Sequence, residues 1–374
     1  MTAGERMDLG GAASGPMVTA RYRVERVLGE GASSVVYAAI DEKDGRAVAL
    51  KVLHRHLVRD PQISRRFNRE ARILRGLRGA HLVSLLDYGE TGDGLLFMAL
   101  ERIDGLSLDR LIGNGRFAAE RAAAIARQIC EALQLAHGAG VVHRDLKPSN
   151  VLVEASNDGE QVWVVDFGMA KVVRGDVGSS LNALTEQNMV FGTPEYMAPE
   201  QARGDEVDER ADLYAVGVIL YELLTGSVPF SRNNPIGTMT AHLLEEPVPP
   251  SSRAPERDIP PALEAVVLHA LAKQPSARYA SAEELGRALE RAILCPADVA
   301  STAPPPKGEE PDLATCDTEH AIRVSEVFRE PPGPGQPLEA PLPERASRAW
   351  IAIGIIAILL GMAIGVVMSL SGSV

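Results

Sequence analysis

Residues 141–152 read VVHRDLKPSNVL: two apolar residues, then His143, Arg144, Asp145, Lys147 and Asn150 gathered around Pro148, then two more apolar residues. The lysine stands out, because the chain carries six lysines against thirty-two arginines. Lys147 keeps an ammonium where arginine is otherwise the rule. A compact ammonium serves one oxygen as a point charge, whereas a planar guanidinium is built for a two-pronged grip. Asp145 can accept or orient the proton of an attacking hydroxyl. Lys147 can set its charge against a moving phosphoryl group, and Asn150 can coordinate a metal ion. Phosphoryl transfer asks for little beyond such positioning and charge neutralisation.

Working outward, the same chemistry finds its other parts. Asp166, in the DFG of 166–168, follows the β-type run QVWVV and offers a second metal ligand. Toward the N-terminus, VERVLGEGASSVVYAAID (24–41) reads as two β-branched runs joined by a Gly-rich turn. Small side chains at Gly29, Gly31 and Ser34 let backbone N–H groups close over phosphates. Taken alone, that stretch is more commonly a Gly-rich hairpin with no ligand. Lys51, on the next strand AVALKVL, supplies a point charge for a nucleotide. The helical pattern ISRRFNREARILRGLRG puts Phe67, Glu70, Ile73, Leu74 and Leu77 near one face, from which Glu70 can hold Lys51 by an ion pair. GLLFMALER is another strand. Long helical patterns follow, one ending at Gly138 and Gly140 and one at Gly226. Strands come first and helices later, which predicts an α+β chain with a small strand-rich lobe and a larger helical one.

Together GxGxxS at 29–34, VALK at 48–51, Glu70, HRDLKPSN, DFG and GTPEYMAPE at 192–200 resemble the eukaryotic-like (Hanks-type) serine/threonine protein kinases of bacteria. The resemblance covers residues 22 to about 292. It implies a bilobal protein kinase fold, ATP with Mg²⁺ or Mn²⁺, and protein substrates. It makes Asp145 the catalytic base, Lys147 an aid to transfer and Asn150 and Asp166 metal ligands, with Lys51 paired to Glu70 and contacting the α/β-phosphates. Gly29, Glu30, Gly31, Ala32, Ser33 and Ser34 would cover the nucleotide. Val36, Ala49 and Leu152 would sandwich the adenine. Leu100 would be the gatekeeper, and the backbone of Glu101 and Ile103 would read the adenine edge. Glu200 is expected to pair with Arg278, and Asp212 to brace the catalytic loop. Arg144 is matched in the family to a phosphate on the activation loop, here 169–198, where Thr185 is the foremost candidate phosphosite and Thr193 a second. Thr193 is also a hydroxyl of that loop and is expected to position substrate. Two departures are visible: Gln187 stands where relatives often carry a second threonine, and Ser34 replaces a third glycine. A pseudokinase scaffold would have lost a metal or base residue. A small-molecule kinase would lack GTPEYMAPE, and a purely structural membrane protein would leave the ordered motifs unexplained.

The flanks and the composition bound the rest. A net charge of −12 argues against nucleic acid as a partner. Cys130, Cys295 and Cys316 show no metal or disulfide spacing, which fits a reducing compartment. Residues 1–20 are expected to be disordered, 21–294 to form the kinase domain with lobes at about 21–101 and 102–294, and 295–348 to be a Pro-rich flexible linker. From Trp350 to Leu370 no residue is charged. At 1.5 Å per residue such a helix spans about 30 Å, the thickness of bilayer hydrocarbon. Residues 349–370 are therefore expected to cross the cell membrane once, leaving a short tail at 371–374. Arg345 and Arg348 would keep the kinase domain cytoplasmic. Ala357, Gly361, Gly365 and Ser369 recur every four residues, a pattern that favours a homodimer through this span together with the kinase domain. Finally, eight arginines crowd residues 55–78. They read either as a solvated face or as a docking surface for anionic lipid or an acidic regulator.

Overall fold

A computed structural model of the chain describes residues 17–115, 117–156, 159–167 and 193–294. Gly168, Thr185, the linker and the uncharged stretch at 349–370 lie outside the described residues. Among the described residues, no helix is long and apolar enough to cross a membrane.

The Gly-rich stretch folds as the expected hairpin. Strand β2 (Tyr22–Glu30) turns into β3 (Ser34–Asp41), and β4 (Arg46–Leu53) extends the meander. With β1 (Met17–Val18), β5 (Leu85–Glu90) and β6 (Leu96–Glu101) they form a six-stranded antiparallel sheet in the order β1-β2-β3-β4-β6-β5. The fold thus starts before residue 21, contrary to the expected boundary, because Val18 is buried and Met17 and Val18 pair with Arg23 and Tyr22.

Alternation divides the sheet into two faces. Tyr22, Tyr37, Val48, Leu50, Val52, Phe97 and Ala99 pack on one face. The register sets Val36 opposite Lys51, Ala49 opposite Leu100 and Lys51 opposite Met98, so these side chains share the other face. There Leu53, Leu85, Leu96 and Met98 meet Ile63, Phe67 and Ala71. Those three residues belong to α2 (Pro61–Gly76), which follows a single turn, α1 (Arg55–Val58). The start of α2 is fixed by Pro61 at the first turn, where its missing N–H costs nothing, and by Asp60, which accepts from the Gln62 N–H at 2.8 Å. Its buried face is Ile63, Phe67, Glu70 and Ala71. Ile73, expected on that face, lies 39% exposed, because a step of three from Glu70 rotates it past the sheet.

The second lobe is helical. It runs through α3 (Leu108–Asn114), α4 (Ala119–Gly138), α5 (Pro199–Arg203), α6 (Arg210–Thr225), α7 (Pro235–Leu244), α8 (Pro250–Arg253), α9 (Pro261–Ala270) and α10 (Ala282–Leu294). Helix α6 is apolar on every side and buried along almost its whole length, the signature of a central helix. It stops at Gly226, whose φ of 80° is the left-handed conformation that glycine adopts without strain. Gly217 lets α9 approach, since a Cβ there would lie 2.9 Å from the Ala270 Cβ. A small sheet of β7 (Leu106–Ser107), β8 (Val151–Ser156) and β9 (Gly159–Val164) closes this lobe beside the catalytic loop.

Candidate active site

The loop between α4 and β8 is held from below by one buried carboxylate. Asp212, in the first turn of α6, accepts from the His143 N–H at 2.8 Å and the Arg144 N–H at 2.9 Å. The His137 Nε2, from the end of α4, lies 2.8 Å from the same carboxylate. Burial alone would raise the Asp212 carboxyl, but the His137 hydrogen bond and the amides hold it below its usual range. Arg144 takes φ of 66° to present both amides to one acceptor. Its carbonyl accepts from the Gln201 Nε2 at 2.9 Å, which ties the loop to α5.

His143 is fully buried and joins the loop to the DFG strand. Its Nε2 donates to the Val165 carbonyl at 2.9 Å, while its Nδ1 receives the Asp145 N–H at 3.3 Å. The Val165 N–H returns a bond to the Asn150 carbonyl at 3.0 Å. The two ends of the β8–β9 hairpin are thereby locked side by side. On this frame the Lys147 ammonium donates to the Asp145 carboxylate at 2.9 Å, and both side chains remain partly open to solvent. The Asn150 amide nitrogen donates to the Asp145 carbonyl at 2.7 Å.

Asp166 follows at once, with φ of 68°. That turn carries its carboxylate to within 2.7 Å of the Lys51 ammonium, which is almost fully buried on β4. The ion pair expected between Lys51 and Glu70 is replaced by this one. Glu70 lies buried on α2, with the Arg69 guanidinium 3.8 Å away. A buried ammonium requires a carboxylate, and the left-handed turn at Asp166 delivers the nearer one. Burial acts to raise the Asp166 carboxyl, and Lys51 more than reverses the effect, holding it below its usual range.

The remaining expected residues surround the same cleft. The hairpin turn is closed by the Gly31 N–H donating to the Ser34 carbonyl at 2.9 Å, and by His54, whose ring lies 2.8 Å from the Gly31 carbonyl. A Cβ on Gly29 would touch nothing, and one on Gly31 would come no nearer than 3.8 Å to the Ser34 carbonyl. The fold itself therefore does not need these glycines, and among the described residues nothing crowds them. Glu30, Ala32 and Ser33 complete that loop. Val36, Ala49 and Leu100 share the sheet face of Lys51 and are half-buried, as is Leu152 on β8. The Glu101 N–H donates to the Ser84 carbonyl at 2.9 Å, whereas the Ile103 N–H makes no hydrogen bond among the described residues. Thr193 lines one pocket with Arg144, Asp145, Lys147 and Tyr196. Glu200 and Arg278 form a buried two-pronged pair, 2.7 Å on each prong.

The donor set fits a divalent cation. Since the Asn150 nitrogen is committed to a carbonyl, its amide oxygen is the atom left to coordinate. Asp166 gives one oxygen to Lys51 and keeps the other. One amide and one carboxylate suit a hard ion whose remaining ligands come from phosphates and water. His137 and Gln201 are loop supports that sequence reasoning misses, because each acts through a contact more than fifty positions away.

Comparison with known proteins agrees with this geometry. The family profile "Protein kinase domain" matches residues 22–288. Serine/threonine-protein kinase pkn3 of Myxococcus xanthus is 45% identical over 271 residues, which cover 72% of this chain and 49% of that protein. Serine/threonine-protein kinase PknB of Mycolicibacterium smegmatis is 42% identical over 269 residues, covering 71% of this chain and 42% of that protein. The match thus spans about half the length of these relatives or less. Among solved structures, the kinase domain of Mycobacterium tuberculosis PknI (C20A mutant) aligns with a TM-score of 0.59 at 26% identity, covering 77% of this chain and all of that one. By its motifs, its bilobal fold and the family match across most of its length, the chain belongs to the protein kinase family, and the relatives it resembles are bacterial serine/threonine kinases.

Proposed function

We propose that the chain transfers the γ-phosphoryl group of ATP to serine and threonine hydroxyls of proteins. The observation that carries this reading is the Asp145–Lys147 pair at 2.9 Å, locked beside the Asp166–Lys51 pair at 2.7 Å by the His143 and Asn150 bonds. Asp145 takes or orients the proton of the incoming hydroxyl, and Lys147 sets a point charge beside it. Lys51 neutralises phosphate oxygens from the sheet, with Glu70 on the helix behind it. The turn from Gly29 to Ser34 offers backbone N–H groups from above, and Val36, Ala49, Leu100 and Leu152 exclude water around an adenine. Glu101 presents its carbonyl and Ile103 its N–H to the adenine edge. Mg²⁺ or Mn²⁺, held by Asn150 and Asp166, would supply charge neutralisation for the phosphates. Thr193 positions the protein substrate beside Asp145.

The reading extends to regulation. The uncharged stretch at 349–370 is a single membrane span, and the kinase domain is cytoplasmic. The linker of about fifty residues then gives a root-mean-square reach of about 40 Å. Two copies in one membrane meet at raised effective concentration, which favours phosphorylation of Thr185 in trans. The small-residue repeat on the span supports the dimer. The test is the full-length chain with Mg²⁺ and labelled ATP, beside Lys51→Met and Asp166→Asn. Label at Thr185 in the intact chain alone is the expected result. Nucleotide binding without any label, on itself or on a generic protein substrate, would sink the proposal.

A further inference from the structure

Helix α2 and the turns beside it carry a stripe of positive charge that is only partly neutralised among the described residues. Residues 55–78 hold eight arginines against two carboxylates, Asp60 and Glu70, in a chain whose net charge is −12. Glu70 is buried, and on this helix it pairs with Arg69, at 3.8 Å. Arg65, Arg69 and Arg72, spaced four and three apart, share the outer face and are exposed, as are Arg59 and Arg75. Arg55 is engaged by Asp93 at 2.5 Å, while Arg66 lies 4.0 Å from Asp60 and Arg69 3.8 Å from Glu70. Among the described residues, Arg59, Arg65, Arg72 and Arg75 have no ion pair. Like charges at such spacing destabilise a helix. A folded chain that keeps them without an internal gain points to a partner outside it.

We infer that the outer face of α2 docks on an anionic lipid bilayer. These arginines are exposed and spread along the helix rather than gathered at one point, so the chemistry favours a broad negative surface over a single bound ligand. Ile73, exposed beside Arg69, adds an apolar contact of the kind that rests at a headgroup boundary. Charge complementarity is matched by access: if the stretch at 349–370 is a membrane span, as proposed above, the linker holds the domain within about 40 Å of the surface. The docked helix packs on the sheet face that bears Lys51, so the contact loads an element beside the catalytic cleft.

The test reconstitutes the full chain in vesicles of phosphatidylcholine, alone or with phosphatidylglycerol, and reads amide exchange of α2 together with flotation. The comparison variant is R59Q/R65Q/R72Q/R75Q, whose four sites are exposed and make no ion pair among the described residues. An unchanged circular dichroism melt shows that it still folds. The expected result is slowed exchange of α2 with anionic vesicles only, reversed by added salt. The variant loses affinity by about a hundredfold or more, at the usual contribution of one basic residue near a charged surface. Insertion into both vesicle types with identical α2 exchange overturns the docking and leaves the span intact. Flotation with anionic vesicles that needs the four arginines, without insertion, supports the docking and removes the span. Protection of α2 by polyglutamate and not by vesicles assigns the face to an acidic protein and overturns the inference.

Discussion

Asp212 serves three donors with two oxygens: the amides of His143 and Arg144 and the ring of His137. Every donor points inward, so the site accepts only a group with no hydrogens of its own. Asp212→Asn keeps the shape but turns an NH₂ toward one of these N–H groups, leaving buried donors face to face. The cost is about 1–3 kcal/mol of stability, by the usual penalty for an unsatisfied buried polar group. The backbone at Arg144, held at φ of 66°, is the part that relaxes, and Asp145 moves with it. A displacement of about 1 Å in a catalytic group costs about a hundredfold in rate. The expected outcome for Asp212→Asn is therefore a fall in kcat of about that size, with a much smaller change in the affinity for ATP. Urea unfolding and single-turnover kinetics on the same preparation separate the two effects, and loss of nucleotide binding as large as the loss in kcat would contradict the account.

At the scale of elements, the β2–β3 hairpin shows what its glycines are for. Neither Gly29 nor Gly31 has positive φ, and neither is crowded by its surroundings. Replacing either by alanine should leave the melting temperature unchanged or raise it, since alanine restricts the unfolded chain by about 0.4–1 kcal/mol where the backbone is compatible. The same methyl occupies the space in which phosphates would lie, so the KM for ATP is expected to rise several-fold while the fold is untouched. A fall in thermal stability that parallels the activity would show instead that the hairpin needs glycine for itself. This hairpin was legible in the sequence, as were α6 with its Gly226 stop and the catalytic loop, because each is written in local pattern and turn chemistry. The partner of Lys51 was not. Asp166 and Glu70 both suit it chemically, and the choice depends on a left-handed backbone at Asp166 that no propensity scale announces. His137 falls inside the helical pattern that ends at Gly138, but its role is set by Asp212, 75 positions away. Strand β1 is two residues long, too short for any alternation to register.

Across the whole molecule, the segment bearing Thr193 and Tyr196 rests on a buried polar buttress built from α5, α6, α7 and the turn before α10. Arg278 donates to Glu200, to the Ala272 carbonyl at 2.8 Å, to the Arg210 carbonyl at 2.9 Å and to the Lys273 carbonyl at 3.1 Å, so all its hydrogens are used. Lys273 donates to the His242 carbonyl at 2.9 Å and sits over the Phe230 ring, and burial lowers its ammonium to about 8. His242, wholly buried, faces the Tyr214 hydroxyl at 2.8 Å, Phe230 and the backbone of Glu195. Burial, with the Lys273 charge behind it, lowers its imidazole to about 3 from an ordinary 6.5. The sign follows from linkage. Below 6.5 the unfolded chain binds this proton and the folded one refuses it, so stability is lost as pH falls from 6.5 toward 3. At pH 5 the loss relative to pH 7 is about 2 kcal/mol. Glu222, whose carboxyl burial raises, works in the opposite sense, while Asp166 and Asp212, held low, add their losses only below the usual carboxylate range. The window between pH 6.5 and 5 therefore separates His242 from the low-lying carboxylates. His242→Gln retains an acceptor for Tyr214 and removes the titration. Its unfolding free energy should change far less between pH 7 and pH 5 than that of the parent chain, and an equal loss in both would place the acid sensitivity elsewhere in the molecule.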